Sequence, residues 1–224
     1  MIEQLHPRII ENKDWATLLF VLAFAVVAIT KTAYENRFSE FTKLIFSDKY
    51  IKIYRDVSHL KSSFTVGLFI VQIISYAFFI QLTLSIFGFA GTEKTDWMLF
   101  ARIATFLTYF ILAKYLIEKI IGTAFNIDEF VDLFNLQKAT YRTYIGLLIL
   151  PVNAVLFYRD DISKIVPLAI IGVSACINLF SYFISIKTYQ NTIINKLFYF
   201  ILYLCALEIA PYYFMYYWIT KVAQ

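Results

Sequence analysis

Histidine and cysteine are nearly absent from this chain, and their scarcity removes whole classes of chemistry. The two histidines, His6 and His59, lie far apart and outside any long apolar run. The two cysteines, Cys176 and Cys205, each sit inside such a run, with no CxxC and no paired spacing. Neither a metal site nor a disulfide framework is indicated, and both cysteines read as buried small hydrophobes. No cofactor is expected: a haem or quinone site would want a histidine within a spanning run. No catalytic constellation assembles either, since Asp160 and Asp161 read as an ordinary turn beside Arg159. Gly- and Ser-rich linkers and internal repeats are missing, so residues 1–224 are taken as a single domain.

Charge is scarce as well: 16% of residues are charged, against about 25% in an average soluble domain. What fills the chain instead is apolar. Hydrophobic residues make up 60% of it, and the mean hydropathy is +0.67. A soluble protein of 224 residues would expose large apolar patches at that composition. The class is therefore integral membrane. The net charge of +4 does not point to nucleic acid, because the basic residues lie between the apolar runs.

A spanning helix needs about 20 mainly apolar residues. Six runs qualify or come close: 15–33, 64–90, 97–123, 141–158, 165–186 and 197–220. Each is continuous, whereas barrel strands alternate and last about 10 residues. The expected fold is all-α, a polytopic bundle of six transmembrane helices. The fourth run is short and contains Pro151; Pro167 sits in the first turn of the fifth, where proline is tolerated. Glu11 and Asp14 precede the first run, so it reads as an uncleaved helix rather than a signal peptide.

Lysine and arginine set the orientation. The segment between the first two runs carries Arg37, Lys43, Lys49, Lys52, Arg55 and Lys61. That side is assigned to the cytoplasm, which puts both termini in the periplasm. Within the same segment, 35–63, Phe38, Phe41 and Ile45 fall at helical spacing among the basic residues. The pattern suits an amphipathic helix at the inner membrane surface, its basic face toward anionic headgroups. A docking surface for a partner protein would look the same. Arg37, Phe38, Phe41, Lys43, Lys49, Lys52 and Arg55 are the residues of that surface. Further on, the stretch NIDEFVDLFNLQKATY reads as a short helix covering the inner end of the bundle.

The polar residues at membrane depth are the candidate site. Glu208 lies midway along the last run, where an acid costs about 2.5–3.5 kcal/mol on insertion scales. It should face the interior, carry a proton, or pair with a base. Arg102 is the first choice of partner, since its fork is bidentate and stays charged, with Lys114 and nearby tyrosines as alternatives. Gln72, Asn153 and Asn178 complete a conceivable cluster, and Pro151 and Pro211 are expected to kink their helices. Such a cluster reads as interhelical polar glue, as a proton, ion or substrate site, or as a contact to another protein's membrane helix.

The run LYLCALEIAP, with ENRFSEF after the first span and KDW before it, resembles an uncharacterised family of Bacteroidetes inner-membrane proteins, a domain of unknown function. The motif carries Glu208 and Pro211; Ala210 stands where the family pattern has a larger aliphatic residue. The family has no established reaction or cofactor. The resemblance implies a bacterial inner membrane, in organisms that often carry a dedicated protein-secretion and gliding apparatus. The expected role is a non-enzymatic membrane subunit that scaffolds or assists a larger envelope complex, in contact with lipids and other envelope proteins. The alternative is a proton- or ion-coupled transporter using Glu208, and a lipid- or polyprenol-modifying enzyme ranks last.

Overall fold

The computed structural model describes residues 13–44, 50, 53–54, 62–88, 92–124, 128–159 and 162–188. Every element among them is helical. They are α1 (Asp14–Ala33), α2 (Glu35–Thr42), α3 (Ser63–Phe87), α4 (Trp97–Ala124), α5 (Asp128–Tyr158) and α6 (Ile165–Thr188). Four of the six, α1, α3, α4 and the Val131–Tyr158 part of α5, are long and apolar enough to cross a membrane. The expected run 197–220, with Glu208 and Pro211, lies outside the described residues.

Local chemistry sets several of these ends. Ser62 caps α3 by accepting from the Thr65 N–H. Gly88 closes the same helix in the left-handed region, at φ 71°. Asp96 caps α4, its Oδ1 accepting from Met98 N at 2.8 Å and Leu99 N at 3.3 Å. The helices α1, α3, α4 and α6 begin at or within one residue of the apolar runs read from sequence.

The fourth span departs from expectation. The stretch read as a separate short helix is continuous with it, so α5 starts at Asp128 and runs 31 residues through Pro151. The extra 13 residues before Tyr141 add about 20 Å at 1.5 Å per residue. No glycine or proline interrupts 128–145, and two of its charged side chains find partners on α4. Lys119 Nζ sits 2.7 and 2.5 Å from the two carboxylate oxygens of Asp132. Lys138 Nζ donates to Glu118 Oε1 at 2.8 Å.

The centre of the bundle is α3, which packs against α5, α4 and α1. Chain direction alternates, so α3 and α5 run parallel, with α4 antiparallel between them in sequence. At the end where α1 begins, Trp15 donates its indole N–H to Thr95 O at 3.2 Å. Rings stack below it: Phe20 on Phe78 at 4.3 Å and Phe78 near Phe100 at 4.6 Å. Lipid is as apolar as these side chains, so close packing rather than water exclusion holds helices together in a membrane. Ring pairs of this kind add about 0.5–1.5 kcal/mol each.

At the other end, which carries α2, a second core joins Phe38, Phe41, Leu44, Tyr50, Phe64, Leu68, Tyr141 and Tyr144. Phe38 and Phe41 thus face the protein interior rather than a headgroup layer or a free docking surface. The apolar stripe of α2 is real; its occupant is the bundle. Cys176, expected to be buried, is exposed on α6.

Candidate functional site

Buried polar side chains concentrate where α3 meets α5. Gln72, Ser75 and Asn153 are each at most 1% exposed. Spacing on α3 puts Gln72 and Ser75 on one face, three residues apart. From α5, Thr143 Oγ1 donates to Gln72 Oε1 at 2.7 Å. Asn153 Nδ2 donates to Ser75 O at 2.7 Å. At the same interface Tyr76 OH donates to the backbone carbonyl of Arg142 at 2.9 Å. Gly146 permits the approach: a Cβ there would lie 3.1 Å from Gln72 Cγ and 3.3 Å from Gln72 Cα. Farther along α3, Gln81 Nε2 donates to Asp96 O at 2.7 Å, fixing the α3–α4 connection.

The seam is only partly satisfied. Gln72 Nε2, Asn153 Oδ1 and Gln81 Oε1 are buried without a hydrogen-bond partner, as are both amide atoms of Asn135 on α5. Orphaned polar atoms cost about 1–3 kcal/mol each unless water reaches them. A cavity of about 20 Å³ adjoins the seam at the α2 end, lined in part by Thr65, Thr140 and Thr143. That space accommodates one water molecule among hydroxyls.

Beside this cavity lies a buried arginine. Arg37, 8% exposed, donates to Ser62 Oγ at 2.8 Å, Thr65 Oγ1 at 3.3 Å and Tyr50 OH at 3.4 Å. Its guanidinium lies 4.4 Å from the Phe64 ring centre and 4.8 Å from that of Tyr54. These contacts staple α2, with Tyr50 and Tyr54, to the first turn of α3. Burial pushes the Tyr50 phenol above its ordinary value, and the Arg37 charge partly opposes the shift.

The residues named from sequence therefore separate. Gln72 and Asn153 both lie in the α3–α5 interface, Gln72 bonded to Thr143 and Asn153 to Ser75. Asn178 is half-buried and donates to Ser174 O of its own helix at 2.8 Å. Lys114 sits 3.9 Å from Glu118 Oε1, one turn along α4, far from the seam's centre. Arg102 is exposed, and its Nη2 approaches Met98 Sδ at 3.5 Å. Pro151 is exposed on α5. Lys43 is exposed at the end of α2, while Lys49, Lys52, Arg55, Glu208 and Pro211 lie outside the described residues.

Sequence reasoning missed Glu118. Its side chain is 2% exposed and lies between Lys138 at 2.8 Å and Lys114 at 3.9 Å. The Lys114–Glu118 spacing of four was the available signal, since such residues are neighbours on a helix. Among the described residues no group of three or more His, Cys, Asp or Glu is placed to hold a metal.

Apolar helices around a hydrogen-bonded polar interior define a polytopic helical protein of the membrane type. Within that class, the chain belongs to the family of the domain of unknown function DUF4271, whose model matches residues 16–219. Neither a curated protein nor a solved structure matches it.

Proposed function

We propose that this protein is a non-enzymatic subunit of the bacterial inner membrane that scaffolds a larger cell-envelope complex, a secretion or gliding assembly of the Bacteroidetes type. In this reading segment 197–220 is a further span, six in all, and both termini are periplasmic. The observation that carries it is the rigid helical end built by α2, the last turns of α4 and the first turns of α5. At 31 residues α5 is about 46 Å long, well beyond the roughly 30 Å hydrocarbon layer. Its surplus is clamped to α4 by the Lys119–Asp132 and Lys138–Glu118 pairs. Such a platform suits the holding of partners at the cytoplasmic surface. Affinity purification from gently solubilised native membranes tests it: defined envelope proteins should co-purify in fixed ratio. Repeated recovery of the chain alone at full yield overturns it.

A second reading, proton- or ion-coupled transport through Glu208, draws on the orphaned atoms Gln72 Nε2 and Asn153 Oδ1. It requires a water path to Glu208, and loss of transport in Glu208→Gln with normal folding. A variant that is merely unstable returns the seam to a structural role.

A further inference from the structure

From Met98 to Leu116 the exposed stripe of α4 carries one charged residue, Arg102, and one threonine, Thr105, among otherwise apolar and aromatic side chains. Met98, Phe106, Tyr109, Leu112 and Leu116 are each about half or more exposed, from 48% to 73%. They follow one another at steps of three, four and eight, which is one face of a helix. Arg102 lies on that same face, exposed, four residues after Met98 and four before Phe106. The other ionisable groups of α4 behave differently: Lys114, Glu118 and Lys119 are engaged in ion pairs toward the α5 side. Arg102 makes no ion pair among the described residues, and its Nη2 lies 3.5 Å from the Met98 sulfur.

Arg102 stands five residues into α4, about 7.5 Å below Trp97. Its guanidinium reaches back one turn, to 3.5 Å from Met98 Sδ, toward the helix start. Trp97 there is 52% exposed, as an interfacial tryptophan should be. The charge is thus carried out of the hydrocarbon to the interface while the stem stays against apolar surface. A guanidinium at that level offers a planar fork of donors, a match for phosphate rather than for water alone.

We propose that Arg102 is a phospholipid-binding residue: its guanidinium holds the phosphodiester of a lipid in the leaflet beside Trp97, and the acyl chains lie along Phe106, Tyr109 and Leu112. This rests on the membrane reading and adds a specific lipid contact to it. The site discriminates by the phosphate and not by net lipid charge. Phosphatidylglycerol and phosphatidylethanolamine should both bind, and diacylglycerol, with the same chains and no phosphate, should not.

Native mass spectrometry of the full chain, released from a mild detergent in the presence of each lipid, measures this. The tightest phospholipid adduct should weaken about tenfold in Arg102→Gln, the loss of a charged bidentate contact. Arg102→Lys, keeping charge without the fork, should lie between. Equal binding of phosphatidylglycerol and diacylglycerol by the unsubstituted chain overturns the proposal, whatever the variants do. So does Arg102→Gln that folds and keeps wild-type phospholipid affinity. Rescue of a misfolded Arg102→Glu chain by Glu208→Arg also overturns it, since Arg102 would then be half of a helix pair. Extraction of the native chain from membranes by alkaline carbonate would defeat the membrane reading itself, a result distinct from each of these.

Discussion

Thr143 Oγ1 donates to Gln72 Oε1 at 2.7 Å, tying α5 to α3 in the buried middle of the bundle. The bond has an unusual balance, because the other end of the same amide, Nε2, has no partner. Thr143→Val would leave the whole Gln72 side chain unsatisfied. Thermal unfolding in detergent should then show a loss of about 1–3 kcal/mol. Gln72→Leu removes the orphan together with its acceptor, and a freed Thr143 hydroxyl can bond a carbonyl of its own helix. The double variant should therefore be more stable than Thr143→Val alone. A double variant as unstable as the sum of the two singles would show that the two groups do not interact.

Gly146 sets how near α5 comes to Gln72. In Gly146→Ala the new methyl would stand 3.1 Å from Gln72 Cγ and 3.3 Å from its Cα. The side-chain atom can shift by a few tenths of an ångström, but the backbone atom belongs to the central helix. The expected cost is about 1–3 kcal/mol of overpacking, and Gly146→Leu should not yield folded protein. Unfolding midpoints and size-exclusion profiles check both. A neutral Gly146→Ala would mean that α3 and α5 separate more easily than their packing implies.

The Glu118 carboxylate is enclosed on its own helix by Lys114 and across the interface by Lys138. Removing one member of a buried pair costs about 3–5 kcal/mol, since the remaining charge is stranded. Glu118→Ala should sit within that range and leave two lysines without it. Lys138→Met should cost less, because Lys114 remains near the acid and 16% of the Lys138 side chain is exposed. Proteolysis at the α4–α5 end, followed against time, should accelerate in both variants, and more in the first. Equal protection of Glu118→Ala and the parent would remove the clamp from the account of the platform.

How much of this could be read from the chain depends on which surroundings a side chain prefers. Trp15 and Trp97 mark span starts because an indole favours the interface, and both helices begin beside them. Gln72 and Asn153 stand 81 positions apart in sequence, and depth alone put them at a shared level. Their partners, Thr143 and Ser75, became visible only with α3 and α5 side by side. The stretch with Asp128 and Asp132 read as a separate short helix, because the cation that anchors Asp132, Lys119, is supplied by α4. For α2 the pattern itself was ambiguous. Phe38 and Phe41 make an apolar stripe whether lipid or protein lies opposite, and no count of residues separates the two. Arg37 illustrates the same point: an interfacial position was the natural reading of a cation among aromatics, yet three hydroxyls and two rings enclose it.

That enclosure leads to a pH dependence carried by Tyr50. Its phenol is raised by burial, with Arg37 pulling the other way. A raised phenol in the folded protein means that the unfolded chain releases this proton first as the solution becomes alkaline. Below the ordinary tyrosine value near 10 both states hold the proton, and the group contributes no slope. Above it the unfolded state alone is ionised, so stability falls until the folded value is reached. Tyr50→Phe deletes the titrating group and its 3.4 Å bond from Arg37. The variant should lose about 0.5–1.5 kcal/mol at neutral pH. Between pH 10 and the folded value it should lose stability less steeply than the parent. Parallel unfolding curves measured from neutral to alkaline pH decide the matter. Identical slopes for the two proteins would mean that Tyr50 is solvated in the native state and that the Arg37 staple is looser than its contacts imply.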